Sequence, residues 1–381
     1  MNPKKYNNLK LAIGISKGIS SFILLFLFVA SGYSLALQYY LAAYTNNSYL
    51  MFIMFFMTIG FAGGVVYFPV NYYTEFYLEH KYNLSNQTFW KWIWEDLKGV
   101  LVSLLIGVPV LLIFFFSLNK YGNMWWLPFA IILFLISVIL ARVVPVIILP
   151  LFYKITPLED ESLKSKINKL AVEAGIKVEN VYKFNMSKNT KKANAAFTGI
   201  GKSKRILLGD TLVDNYSQDE IETVIAHELG HYKKKHIIKN IFIGTCSSFF
   251  MLFLIAYLYD VSLGWFNFKS IVQIAALPLL SLWAMFVGVF LTPLTNILSR
   301  KFEYEADEYA IRSTGKKEAF IATLEKLTDQ NLGDREPHPL VEWFFYSHPS
   351  IKNRISAINK IILPAFTPSD KPDDNLNYEG N

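Results

Sequence analysis

The residues with the clearest chemical potential are His227, Glu228 and His231. On a helix, the two histidines lie four residues apart on one face, so their imidazoles can coordinate one zinc ion. Glu228 can then reach a metal-bound water and accept its proton as the water attacks a peptide carbonyl. The pattern His-Glu-x-x-His on a helix is typical of zinc metallopeptidases. The alternative is two ordinary histidines on a half-buried helix. The chain has only six histidines, so a pair at ligand spacing beside a glutamate favours the metal site.

A third ligand is expected, because a catalytic zinc ion usually has three protein ligands and one position for water. The candidates are Glu303 and Asp307, which again share one helical face. One of them can bind the metal while the other holds a ligand histidine through its free ring nitrogen. Glu305 is expected on another side of the helix, exposed to solvent. The alternative for this cluster is a solvated acidic face that follows a membrane span.

The elements that must position these residues are largely apolar. The chain is 53% hydrophobic and only 18% charged, and no charged residue occurs between Lys17 and Glu75. A helix needs roughly 20 apolar residues to cross a membrane. The uncharged blocks predict six spans, at approximately 18–42, 49–73, 99–119, 122–149, 240–259 and 270–298.

The spans divide the chain into five predicted segments. Residues 1–152 form a membrane domain with four spans, 153–236 a zincin-like segment with the histidine helix, and 237–299 two further spans. Residues 300–363 complete the zinc site, and 364–381, rich in Pro, Asp and Asn, form a disordered tail. The even number of spans puts both polar segments on the side of the N-terminus. Lysines beside the span ends put that side, with the catalytic site, in the cytoplasm.

Within 153–236, the pattern predicts a helix over 159–174 and strands over 178–184 and 205–208. Ser217 and Glu220 have the spacing of a capping box that opens the histidine helix. The net charge of +7 reflects the lysines that flank the spans, and no nucleic-acid motif accompanies it. We therefore expect the lipid bilayer as a partner and no nucleic acid. Cys246 is the only cysteine, which excludes a disulfide framework.

Taken together, the motifs resemble those of the type-I CaaX prenyl proteases, membrane zinc endopeptidases that remove the last three residues of prenylated proteins. The resemblance covers nearly the whole chain. Its segments, in order, are 84–88 (Leu-Ser-Asn-Gln-Thr), 150–158 (Pro-Leu-Phe-Tyr-Lys-Ile-Thr-Pro-Leu), 194–199 (Asn-Ala-Ala-Phe-Thr-Gly), 227–231 (His-Glu-Leu-Gly-His), 299–307 (Ser-Arg-Lys-Phe-Glu-Tyr-Glu-Ala-Asp) and 346–349 (Tyr-Ser-His-Pro) with Arg354.

The resemblance implies a role for each matching residue. His227, His231 and Glu303 would bind one zinc ion per chain, Glu228 would be the general base, and Asp307 would support a ligand. Asn194, Ala195, Ala196 and Phe197 would form an edge strand that pairs with the substrate backbone. His348 and Arg354 would stabilise the oxyanion or hold the substrate carboxylate. The implied fold is an α-helical multi-pass membrane protein with a zincin-like α+β metalloprotease domain, its helices enclosing an intramembrane chamber.

The expected function is hydrolysis of peptide bonds near the C-terminus of prenylated or hydrophobic membrane-associated peptides. The expected location is a bacterial inner membrane or an endoplasmic reticulum membrane. One alternative is a metalloprotease of membrane protein quality control. Another is a catalytically inactive scaffold or a transporter. An inactive scaffold is expected to lose Glu228 or a metal ligand, and this chain keeps all of them. A transporter is expected to have charged residues inside its spans, and only Arg142, near the end of the fourth span, approaches that description.

Overall fold

The computed structural model describes residues 2–176, 180–198 and 205–362. Within these ranges, six helical stretches are long and apolar enough to cross a membrane, the number that the sequence predicts. The helices up to residue 152 are α1 (Pro3–Ala30), α2 (Tyr33–Ala42), α3 (Ser48–Asn71), α4 (Leu78–Lys81), α5 (Phe89–Tyr121), α6 (Trp126–Val143) and α7 (Leu149–Phe152). Single π-helical turns continue α3 into α4 and α6 into α7.

The remaining elements combine a small sheet with the helices that pack on it. They are β1 (Ile155–Pro157), α8 (Glu161–Glu173), β2 (Asn180–Phe184), β3 (Ala195–Thr198), β4 (Arg205–Gly209), α9 (Asp210–Val213), α10 (Gln218–Lys233), α11 (His236–Ser262), α12 (Pro278–Thr314), α13 (Lys317–Gln330), α14 (Pro339–Phe345) and α15 (Ile351–Asn359). The predicted helix over 159–174 is α8, and the strand over 205–208 is β4. The predicted strand over 178–184 is β2 within the described residues, since 178 and 179 lie outside them, as does the tail 364–381.

The first span differs from its predicted range of 18–42. Helix α1 begins at Pro3, where the side chain of Asn2 accepts a hydrogen bond from Lys5 N, and it ends at Ala30. Gly32 has φ +80°, a backbone conformation that turns the chain into the separate helix α2. The uncharged block in the sequence begins only after Lys17, so it predicts a span that starts later than α1 does. Hydrophobicity along the chain also cannot reveal a turn inside an apolar run, such as the one at Gly32.

The last span also differs, because α12 continues without a break through the predicted boundary at 299/300. It ends only at Gly315, whose φ of +68° stops the helix. Glu303 and Asp307 therefore belong to the same rigid element as the sixth span. This continuity fixes the distance between the acidic residues and the membrane.

The sheet has the strand order β1-β2-β4-β3, with β2 and β4 parallel and the other pairs antiparallel. Strand β3 is therefore at one edge. Helices α8, α10 and α13 cover the sheet, and the core between them contains residues such as Ile167, Ile206, Ile225 and Phe320. Burial of these side chains holds α10, with its histidines, next to the edge strand.

Cavities lie between the membrane helices. A polar cavity of about 350 Å³ borders Asn189 and Thr190 and has Glu95 and Asp96 in its wall. The same two acids border an apolar cavity of about 590 Å³ between α3 and α5. That cavity shares Met57 with a third one of about 640 Å³. Adjoining open space thus extends from the segment before β3 into the membrane region.

Candidate active site

Helix α10 presents the histidines because its start is fixed and its far end packs closely on α12. Ser217 and Glu220 form the reciprocal capping box that the sequence predicts. At Gly230, a Cβ atom would lie 3.1 Å from Ala306 Cα, closer than ordinary van der Waals contact. Glycine at this position therefore lets the backbones of α10 and α12 approach each other. This approach brings Glu303 of α12 to the histidines of α10.

Three ligand-type side chains meet at this crossing. His227 Nε2 lies 3.2 Å from His231 Nε2 and 3.5 Å from Glu303 Oε2, and His231 Nε2 lies 3.3 Å from Glu303 Oε1. A tetrahedral zinc ion with bonds of about 2.0–2.1 Å separates its ligand atoms by about 3.3 Å. Glu303 Oε2 is buried and has no hydrogen-bond partner among the described residues. A buried carboxylate oxygen without a donor is costly, and a bound cation would compensate it, so the donor set fits a zinc ion.

Asp307 and Arg354 support the first histidine. His227 Nδ1 lies 2.9 Å from Asp307 Oδ1, close enough for the carboxylate to orient the ring. Arg354 donates to both Asp307 oxygens, from Nε at 2.9 Å and from Nη2 at 2.5 Å. Burial lowers the pKa of His227, but hydrogen bonding to Asp307 and Glu303 outweighs it and raises the pKa to about 9. A proton on Nδ1 leaves Nε2 free for a metal ion.

His236 and Glu305 support the second histidine, and sequence reasoning missed both. His231 Nδ1 lies 3.0 Å from His236 Nδ1, and His236 Nε2 lies 2.9 Å from Glu305 Oε2. His236 is 1% exposed and stacks on Phe302. If His231 uses Nε2 for the metal, its Nδ1–H donates to His236, whose Nε2–H then donates to Glu305. One consistent arrangement of protons thus connects all three groups.

The expectation that Glu305 is exposed to solvent holds only in part, because its side chain is 29% exposed while its Oε2 contacts His236. Lys235 has φ +59°, and this left-handed turn between α10 and α11 folds His236 back against α12. The available signal was a third histidine only five residues after His231. Helical periodicity could not place it, because it lies beyond the end of α10.

A cavity of about 220 Å³ adjoins these groups, and Glu228 is in its wall. Of the expected edge-strand residues, Asn194 and Ala195 border this cavity, whereas Ala196 and Phe197 are not part of its wall. Phe197 instead packs on Tyr232, with the ring centroids 5.6 Å apart.

His348 and Arg354 are also in the cavity wall, but their surroundings differ. The side chain of His348 is 66% exposed, and its Nε2 lies 3.4 Å from Glu303 Oε1. Arg300 of α12 holds the segment before His348, since its Nη1 donates to the carbonyls of Glu342 and Tyr346. Arg354 uses two of its nitrogens on Asp307, while Nη1 lies 3.9 Å from Glu303 Oε2.

The chain is similar in sequence to known membrane proteases. Residues 157–362 match the family model of peptidase family M48, and residues 2–154 match that of the CAAX prenyl protease N-terminal region, described as five membrane helices. The chain is 32% identical to CAAX prenyl protease 1 of Saccharomyces cerevisiae over 313 residues, which cover 77% of this chain and 68% of the relative. It is 31% identical to an uncharacterized metalloprotease, YhfN, of Bacillus subtilis over 94% of this chain and 84% of the relative.

The fold is similar to a solved structure as well. The crystal structure of S. mikatae Ste24p superposes with a TM-score of 0.84, at 27% identity, covering 94% of this chain and 88% of that one. The predicted fold class, a multi-pass helical membrane protein with a metalloprotease domain, is confirmed.

Proposed function

This chain belongs to peptidase family M48 and is a multi-pass membrane metallopeptidase, and from this premise we propose a zinc-dependent endopeptidase that cuts prenylated or hydrophobic membrane-associated peptides near their C-terminus. The observation that carries the proposal is the convergence of His227, His231 and Glu303, whose ligand atoms lie within 4.8 Å of one another. Glu228 borders the same cavity as this cluster, so a peptide there would meet both.

The three clustered residues would hold one zinc ion per chain. When bound, the zinc supplies a water of lowered pKa and polarises the peptide carbonyl. Glu228 takes the proton of the attacking nucleophile and returns it to the leaving amine. Asp307 and His236 hold the two histidine rings in the tautomers that leave both Nε2 atoms free.

His348 and Arg354 take different roles in this proposal. The imidazole of His348 is exposed in the cavity beside Glu303, so it can donate a hydrogen bond to the carbonyl oxygen that becomes negative. Arg354 is occupied by Asp307, so it acts mainly by keeping that carboxylate in place. Nη1 of Arg354 is the part that remains directed towards Glu303 and the cavity.

The substrate class follows from the surroundings of the cluster. Strand β3 lies at a sheet edge, where an extended peptide can add as a further strand. The apolar cavities between α3 and α5 can accept a lipid or apolar anchor while the backbone lies on β3. The similarity to proteins named CAAX prenyl protease supports a prenyl group as the anchor of the substrate. The Bacillus subtilis relative is named only a metalloprotease, so an apolar peptide segment is the second candidate for the anchor.

A direct test compares matched peptides that carry a free C-terminus and a cysteine that is either S-farnesylated or S-methylated. The purified full chain with zinc should cleave the farnesylated peptide faster, with the products identified by mass spectrometry. Glu228→Gln is the control: it should keep its metal but lose about 100- to 10,000-fold in rate, because only the base is removed. Equal rates on both peptides would contradict the prenyl preference, and an active Glu228→Gln would contradict the mechanism.

A further inference from the structure

The free edge of the sheet has an alternating pattern of backbone groups. Asn194 O accepts a hydrogen bond from Gly209 N at 2.9 Å, and the register continues with Ala195 opposite Leu208. In an antiparallel pair, residues bonded to the neighbouring strand alternate with residues whose N–H and C=O point away from it. Ala193 and Ala195 therefore direct their backbone groups to the free edge, where a substrate would pair.

At Ala193 this edge is already occupied. The side-chain Oδ1 of Asn331 accepts from Ala193 N at 2.9 Å, and its Nδ2 donates to Ala193 O at 3.2 Å. An amide placed in this way makes the two hydrogen bonds that an added strand would make with the same residue. A substrate backbone can pair with Ala195 but cannot continue past Ala193.

Asn331 is fixed from both sides along the chain. Before it, Gln330 Nε2 donates to Lys191 O at 2.7 Å. After it, Leu332 O accepts from Asn7 Nδ2 of the membrane helix α1 at 2.6 Å. Asn331 also borders the cavity that contains Glu228. The side chain is thus a rigid end wall of the substrate groove.

We propose that Asn331 is a specificity-determining residue that closes the groove and limits how many substrate residues follow the scissile bond. The inference rests on the proposed function, since it explains why cleavage would be confined to the C-terminal region. A substrate that adds antiparallel to β3, the more stable pairing, directs its C-terminal half towards Ala193. From Ala195 to Ala193 the groove extends only about 6.8 Å, the length of two strand residues.

The test uses the zinc-loaded full chain and two peptide series, one with an S-farnesyl cysteine and one with an apolar unlipidated anchor. In each series two to eight residues follow the anchor, and mass spectrometry gives the rate and the cleavage site. The parent should cut short members and discriminate against long ones. Asn331→Ala should raise the ratio of long-peptide to short-peptide rates by about tenfold, the effect of roughly one hydrogen bond.

Two further variants make the result specific. Gln330→Ala removes the neighbouring bond to Lys191 but keeps the Asn331 amide on Ala193 and the contact of Leu332 with Asn7, so its ratio should rise much less than that of Asn331→Ala. Asn331→Asp keeps the acceptor for Ala193 N–H but places a carboxylate oxygen against Ala193 O, so its ratio should rise. Zinc content equal to that of the parent shows that each variant is folded.

An unchanged ratio in Asn331→Ala and Asn331→Asp, or an equal rise in Gln330→Ala, overturns the proposal. The lipid preference is measured separately, from farnesylated and unlipidated peptides of the same length. Equal rates on the farnesylated and unlipidated peptides would contradict the proposed prenyl preference. The length series on apolar anchors would still decide the role of Asn331.

Discussion

At the scale of single residues, the orientation of the candidate metal ligands depends on the side chains that hydrogen-bond to them. His236 Nδ1 lies 3.0 Å from His231 Nδ1 and its Nε2 lies 2.9 Å from Glu305 Oε2, and no other partner of His231 Nδ1 is present in the described part of the chain. His236→Ala should therefore weaken zinc binding by about 10- to 100-fold, the usual effect of losing a partner that orients a ligand. Competition with a chromophoric chelator measures the zinc affinity directly.

The conservative variant separates orientation from packing. His236→Asn can still offer a side-chain oxygen near the position of Nδ1, so it should retain more zinc affinity than His236→Ala. Glu305→Gln keeps an acceptor for His236 and should lie closest to the parent. If all three variants bind zinc as tightly as the parent, the hydrogen-bonded chain from His231 to Glu305 has no role in metal binding.

The charge state of His227 predicts a pH dependence. In the metal-free protein its pKa is raised from 6.5 to about 9, so the protonated ring stabilises the fold below pH 6.5. That contribution is lost as the pH rises from 6.5 to 9. Zinc requires the unprotonated nitrogen, so its stabilising effect changes in the opposite direction. The difference in Tm between zinc-loaded and metal-free protein should increase from pH 6.5 to 9, and a constant difference would contradict this assignment.

At the scale of elements, the crossing of α10 and α12 determines the geometry of the site. Gly230→Ala would place a methyl group 3.1 Å from Ala306 Cα and O and from Tyr309 Cβ, so the helices must separate. We expect a loss of about 1–3 kcal/mol of stability, in the range for overpacked cores, together with weaker zinc binding. Gly288→Ala is the matched control, since nothing lies within 4 Å of its added Cβ. Equal effects of the two variants on Tm and zinc content would exclude close packing as the role of Gly230.

Local sequence rules predicted those elements that depend on neighbours along the chain. The capping box at Ser217, the pairing of Glu303 with Asp307 on one face, and helix α8 all follow from fixed spacings. The turn at Gly32, the turn at Lys235 and the pairing of Asn331 with Ala193 do not. These features depend on backbone conformations or on partners far away in the chain, which periodicity cannot detect.

At the scale of the whole molecule, the N-terminal helix joins the membrane region to the catalytic segments. Lys10 of α1 and Lys192, three residues before β3, both form ion pairs with Glu79 at the end of the second candidate span. Asn7 reaches Leu332, next to Asn331. We therefore expect the N-terminus and the candidate active site on the same side of the membrane, which agrees with the even number of candidate spans.

That shared side should be the cytoplasm, because Lys4, Lys5 and Lys10 lie in the first three turns of α1, and Lys233, Lys234 and Lys239 lie just before or at the start of the fifth candidate span. The short helix α2, with 10 residues, cannot cross a membrane alone, so it should not reverse the topology. Fusions of a reporter that is active only in the cytoplasm, placed before Met1 and after Lys360, should both be active. A fusion in the turn at Thr45–Asn47, between the first two spans, should be inactive and serves as the control. An inactive fusion before Met1 beside an active one after Lys360 would mean that a seventh segment crosses, with α2 the first to examine.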